Sequence, residues 1–245
     1  MEYFAKSDIG KIRNKNQDQV AVNVNGADQL LAIVCDGMGG HKAGEVASRA
    51  MINYMTGCFQ GHPGFENGKE IQKWMEETIQ NGHTFVKKLA STTEEQEGMG
   101  TTIVAAMCCE NTIYLAHVGD SRAYYYQEEL LLLTKDHTLL NLLLDQGSIT
   151  PEQAEDFEQK NVLTQAIGAT QGIEIAQQVM EVENGYLLLC SDGLFNMVSK
   201  EEIKGTIQQN NLIEDIGNIL IDKANDYGGR DNISVVLVKL TGGIE

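Results

Sequence analysis

The sequence predicts an α+β protein of antiparallel sheets covered by helices, and three observations carry that prediction. Strand-like apolar runs occupy both ends and the middle of the chain, at about 19–24, 30–35, 101–109, 112–118, 122–127, 130–133, 173–182, 186–190 and 232–240. Several runs are separated by very short turns, Glu110-Asn111 and Asn184-Gly185 among them, which suits hairpins. Helical periodicity comes in pairs rather than alternating with every strand, which disfavours a Rossmann-type sheet.

The first helical pair is marked by Val46, Ala50, Met51, Tyr54 and Met55, then by Ile71, Trp74, Met75, Ile79, Val86 and Leu89, each set spaced along one helix face. The second pair falls at roughly 200–209 and 212–225. Between the pairs, residues 145–165 (DQGSITPEQAEDFEQKNVLTQ) are polar, contain one proline and a short helical signal, and read as an inserted flap.

A chain of 245 residues suits one domain over 1–245. Its 18 basic and 35 acidic residues give a formal charge of −17, which repels phosphate backbones and argues against nucleic acid as a partner. No apolar stretch approaches the roughly 20 residues that cross a bilayer, and the start of the chain lacks a basic segment followed by an apolar core, so a cytoplasmic protein without membrane insertion is expected. The five cysteines lack CxxC spacing and mostly sit in apolar runs, as reduced core thiols do.

Four junctions share one grammar, an aspartate beside a buried run: VCDG at 34–37, HVGDSR at 117–122, LCSDG at 189–193 and GGRDNIS at 228–234. Each alone reads as a turn, because aspartate accepts hydrogen bonds from nearby amides. Four that converge on one rim would not survive bare: two carboxylates about 4 Å apart repel by about 4 kcal/mol at an effective dielectric of 20. Hard divalent cations such as Mg²⁺ or Mn²⁺ resolve the conflict, since they take carboxylate, carbonyl and water oxygens. Glycines beside the aspartates let the chain turn sharply and expose carbonyls.

Other hydrolytic devices are missing. There is no HExxH, GxxxxGK[ST], DxD, DxH or GxSxG, and no cysteine is followed six positions later by arginine. An oxygen-ligated metal site with water as nucleophile remains. RNKNQD at 13–18 adds an arginine five positions before Asp18, and a guanidinium fork can hold two phosphoryl oxygens.

Taken in order, RNKNQD, CDGMGGHKAGEVAS, GMGTT, VGDSRAYYY, LTKDHT, NVLTQAIG, LCSDGL and GGRDNISVVLV resemble the bacterial branch of the metal-dependent serine/threonine protein phosphatases, the type 2C class, from about residue 6 to 240. The resemblance implies a four-layer α-β-β-α sandwich, two packed antiparallel sheets flanked by helices, with a metal cluster at one rim. It implies that Asp36 bridges two Mn²⁺ or Mg²⁺ ions, that Gly37 contributes its carbonyl, that Asp192 and Asp231 ligate one ion, and that Asp18 acts through bound water. Asp120, with Asp192, would serve a third and weaker site.

On that reading a water bridging the two ions attacks phosphorus, Arg13 grips the phosphate and His41 is the candidate general acid for the departing serine or threonine oxygen. A structural role is assigned to His137. The chain departs from the family where Gln165 stands in place of an arginine, and where Glu158-Gln159-Lys160 stands in place of a His-Pro. The expected partners are phosphorylated proteins and a cognate serine/threonine kinase in bacterial signalling, and a monomer is the default. Two alternatives are a phosphoprotein-binding pseudophosphatase and a phosphatase of small metabolites or phosphoarginine.

Overall fold

The computed structural model describes residues 1–39, 43–210 and 212–241. Twelve strands are formed by these residues: β1 (Glu2–Asp8), β2 (Gln19–Val24), β3 (Leu30–Cys35), β4 (Gly37–Met38), β5 (Gly100–Thr101), β6 (Ile103–Cys109), β7 (Thr112–Val118), β8 (Arg122–Tyr126), β9 (Leu130–Leu132), β10 (Ala176–Glu181), β11 (Gly185–Cys190) and β12 (Ile233–Leu240). The helices are α1 (Ala43–Gln60), α2 (Gly68–Ala90), α3 (Leu139–Asp145), α4 (Pro151–Glu155), α5 (Asp192–Phe195), α6 (Lys200–Gln209) and α7 (Ile213–Asp226).

Two five-stranded antiparallel sheets result, one in the order β1-β12-β11-β8-β9 and the other β10-β7-β6-β3-β2. Alternation along each strand divides the core into three slabs. Leu30, Ala32 and Val34 of β3 meet Leu187 and Leu189 of β11 and Val236 and Val238 of β12 between the sheets. The intervening Leu31, Ile33 and Cys35 face Met51 and Met55 of α1 and Ile79 of α2. On the other outer face Leu188, Val235 and Leu237 meet Ile216 and Leu220 of α7 and Ile203 of α6. Both faces of each central strand are therefore covered, which explains unbroken apolar runs in place of polar alternation. Burial of each such aliphatic side chain contributes about 1.5–3 kcal/mol. The expected four layers are present.

Register places the site. Gln19 pairs with Cys35, so β2 begins where β3 ends. Both β3 and β7 run antiparallel to β6 and hence parallel to each other, and their C-termini share an edge. In the β1-β12-β11-β8-β9 sheet Cys190 at the end of β11 lies opposite Val235 and Arg122, near the starts of β12 and β8. Asp18, Asp36, Asp120, Asp192 and Asp231 each lie within two residues of one of these strand ends.

Two expectations need correction and one strand was missed. Asn184-Gly185 is not a hairpin turn: β10 pairs with β7 while β11 pairs with β12 and β8, so this turn carries the chain from one sheet to the other. The run 101–109 is two strands, because Thr102 leaves the β5 register to bond with Asp36. The edge strand β1 was not expected. It pairs with β12 along its whole length, and Phe4 packs where Gly217 of α7 leaves room, its ring 2.1 Å from where a Cβ would stand.

Candidate metal and phosphate site

The Asp36 backbone is held at both polar atoms. Its N–H donates to Thr102 Oγ1 at 2.9 Å and its carbonyl accepts from Thr102 N and Thr101 Oγ1, both at 2.8 Å. The Thr102 hydroxyl also meets Ser121 Oγ at 2.7 Å, linking the β3 end to the loop that carries Asp120. Gly37 lies against the start of α1, where a Cβ would come 2.2 Å from the Gly44 carbonyl oxygen, so only glycine fits.

Asp192 opens the short helix α5, with Ser191 at its N-cap. The next residue, Gly193, lies so close to β12 that a Cβ would stand 2.0 Å from Asn232 O. Asn232 in turn fastens the N-terminal loop: its amide donates to Ile9 O and Lys15 O, each at 2.9 Å, and its Oδ1 accepts from Gln17 N at 2.8 Å. That loop carries Arg13 to Asp231, where Nη2 donates to Oδ2 at 2.6 Å. Asp18, only 1 % exposed, accepts from the hydroxyls of Ser191 at 2.6 Å and Ser234 at 2.7 Å. These two bonds join the sheets at the rim.

A cavity of about 490 Å³ opens here, lined by Arg13, Asp36, Gly37, Asp120, Asp192 and Asp231 with Gln17, Thr102, Asn232 and the stretch Asn161–Leu163. Asp18 lies behind the lining. A larger cavity of about 940 Å³ lies at the far end of the strands, beside the Asp28 and Glu110 turns and away from these aspartates. Thus the structure brings together every expected site residue it describes. His41 lies outside the described residues.

The carboxylates strain one another. Burial foremost, then the charges of Asp18, Asp192, Asp120 and Asp231, hold Asp36 well above the ordinary carboxylate range. Asp36 is thus the hub, feeling the four others. Burial, reinforced by neighbouring aspartates, pushes Asp18 and Asp120 up to about 7 and Asp192 up to about 6. Asp192 Oδ1 is buried with no hydrogen-bond partner, an acceptor left over where unmet polar groups are rare.

A divalent cation fits these observations, since it would meet the orphaned oxygen and offset the shared charge. Among the described residues no three His, Cys, Asp or Glu side chains form a set that could hold an ion unaided. A hard cation draws on carbonyl and water oxygens as well as carboxylates.

Residues not anticipated are Thr101, Thr102, Ser121, Ser191, Ser234 and Asn232, the hydroxyl and amide partners that orient the aspartates. Their signal was present, because Ser121, Ser191 and Asn232 are immediate neighbours of Asp120, Asp192 and Asp231. The stretch Asn161–Leu163 shows that one end of the polar 145–165 segment reaches the cavity.

The sequence model of the protein phosphatase 2C family matches residues 12–215. The serine/threonine phosphatase stp of Listeria monocytogenes is 38% identical over 236 residues, covering 96% of this chain and 94% of that protein. A solved serine/threonine phosphatase of S. agalactiae superposes with a TM-score of 0.92 at 38% identity, covering 98% of this chain and 99% of that one. The catalytic domain of the serine/threonine protein phosphatase PstP, solved in complex with two manganese ions, gives a TM-score of 0.83 at 33% identity, with 98% of each chain covered. This chain belongs to the protein phosphatase 2C family and is a serine/threonine protein phosphatase of its bacterial branch.

Proposed function

We propose that the rim cavity holds two Mn²⁺ or Mg²⁺ ions and hydrolyses phosphoserine and phosphothreonine in proteins. The observation that carries this reading is the position of Asp36 among four other aspartates, with an unmet carboxylate oxygen on Asp192. The manganese pair in PstP supports it.

Asp36, Gly37 through its carbonyl, Asp192 and Asp231 would hold the core ions, Asp18 would act through water, and Asp120 with Asp192 would serve a third, weaker site. When bound, the ions supply a water of lowered pKa between them and polarise the phosphoryl oxygens. Arg13 stands on the cavity wall with one guanidinium nitrogen on Asp231 and its other N–H groups without a partner among the described residues, where they would hold phosphoryl oxygens and offset charge that develops during transfer. His41 is the candidate donor of a proton to the leaving oxygen.

Phosphoserine and phosphothreonine arise by transfer from ATP, so the reaction upstream is that of a serine/threonine kinase, and the shared compartment would be the cytoplasm. Among the described residues no helix is long and apolar enough to cross a membrane. Residues 1–245 would act as one catalytic domain, with 145–165 as a flap beside the cavity. Purified protein should cleave a phosphothreonine peptide with Mn²⁺, stop in chelator, and lose at least about 100-fold in kcat on Asp192→Asn. Full turnover in chelator would overturn the reading.

A further inference from the structure

A second cavity, of about 450 Å³, adjoins the first: Asp120, Asn161 and Asp192 line both. Leu132, Leu140 and Phe195 give it apolar wall, and Arg122, Lys135 and Lys160 bring positive charge. Two of those cations are already satisfied. Arg122 holds Asp136 with Nε at 3.0 Å and Nη2 at 2.7 Å and lies over the Phe195 ring, 3.8 Å from its centroid. Lys135 is paired with Asp145. Lys160 has no hydrogen bond or ion pair to any described residue.

We propose that this cavity takes the side chain flanking the phosphoresidue of a protein substrate and that Lys160 makes it selective for an acidic side chain with an aliphatic stem, glutamate above all. The proposal rests on the phosphatase reading of the adjoining rim. A substrate whose phosphoryl group lies beside Arg13 and Asp36 has its neighbouring residues within reach of the shared wall at Asn161 and Asp120. Leu132, Leu140 and Phe195 suit the stem of such a side chain. The carboxylates that would repel its end are engaged: Asp136 is neutralised by Arg122, while Asp120 and Asp192 face the proposed cations. On a chain of net charge −17, an unpaired lysine at this wall is what makes an acidic substrate segment tolerable.

The test uses a set of phosphothreonine peptides that carry Glu, Gln or Lys at each position up to three residues either side of the phosphothreonine. Wild-type enzyme should prefer Glu over Gln at one or two positions by about 5-fold in kcat/KM, the size of a partly exposed charge pair. Lys160→Arg should keep that ratio, Lys160→Ala should bring it to one, and Lys160→Glu should turn the preference towards Lys at the same positions. A charge reversal that merely disturbed the fold would lower all peptides together and leave the ratios alone. A wild type with no acidic preference, or a Glu preference that survives Lys160→Glu, overturns the proposal. Wild-type turnover of p-nitrophenyl phosphate tests the underlying phosphatase reading separately, because that substrate has no flanking residue.

Discussion

The Ser191 hydroxyl donates to the Asp18 carboxylate at 2.6 Å, joining residues 173 positions apart and one sheet to the other. Both partners are buried, and Ser234 supplies a second hydroxyl at 2.7 Å to the same oxygen. The bond therefore belongs to the fold and to the rim at once. Ser191→Ala removes one of two donors that hold Asp18 down against burial. It should lower stability by about 1–2 kcal/mol in urea unfolding and raise the Mn²⁺ concentration needed for half-maximal activity, with kcat at saturating Mn²⁺ kept within about 3-fold. An unchanged Mn²⁺ requirement would detach Asp18 from the ions.

Charge crowding around Asp36 costs stability when no cation is present. Asp36→Asn removes the hub charge that acts on its neighbours. In chelator the variant should melt about 2–4 °C above the wild type, corresponding to about 1 kcal/mol in a chain of this size, while its turnover falls at least about 100-fold. A variant that is both less stable and less active would mean that Asp36 serves the fold first.

Glycine packing beside the ligands offers a contrast within one residue type. An added Cβ at Gly193 would stand 2.0 Å from backbone, whereas at Gly205 in α6 it would meet nothing within 4 Å. Gly193→Ala should lower stability by about 2 kcal/mol or more and shift Asp192. Gly205→Ala should raise stability by about 0.5–1 kcal/mol through helix propensity, with activity unaltered. Thermal melts and Mn²⁺-dependent turnover of the two variants check both.

Proton linkage follows from the raised carboxylates. Asp18 and Asp120 titrate near 7 in the metal-free fold and near 3.8 when unfolded, so the folded state binds more protons between those values. Their contribution to stability is complete at low pH and is lost as pH rises through about 7. His117 and His137, stacked at 4.7 Å and held neutral chiefly by burial, act in the opposite sense below their ordinary value of 6.5. His83 is lowered in the same way, and because all three histidines are largely neutral in both states above pH 7, the window from pH 7 to 8 is left mainly to the carboxylates: in chelator the unfolding free energy should fall across it by up to about 1 kcal/mol. Excess Mn²⁺ should flatten or reverse that slope, because ligation favours the ionised form.

The legible part of this protein is the part where one residue's surroundings are set by its own strand. β3, β6 and most of β11 are buried on both faces and read as apolar runs, and β7 and β12 depart from that only at a few polar positions. The aspartates that follow or precede them stand out because aspartate is a poor strand former. β1 escaped notice because EYFAKSD lies on a half-exposed edge with no period of its own, and only β12 and Gly217 make it a strand. Asn184-Gly185 looks like a hairpin turn locally, yet pairing choices elsewhere decide that it crosses between sheets. The same holds at the rim: convergence of Asp36, Asp192 and Asp231 was readable from their repeated grammar, but the ties through Asn232, Ser234 and Thr102 depend on registers that no local pattern encodes.

The most direct test of the acidic rim as a cation site is calorimetric titration of Mn²⁺ into chelator-stripped protein at pH 8, wild type beside Asp36→Asn. Wild type should bind at least two ions per chain with release of protons, and Asp36→Asn should lose the tight binding altogether. Equal stoichiometry and affinity in the two proteins would contradict the account.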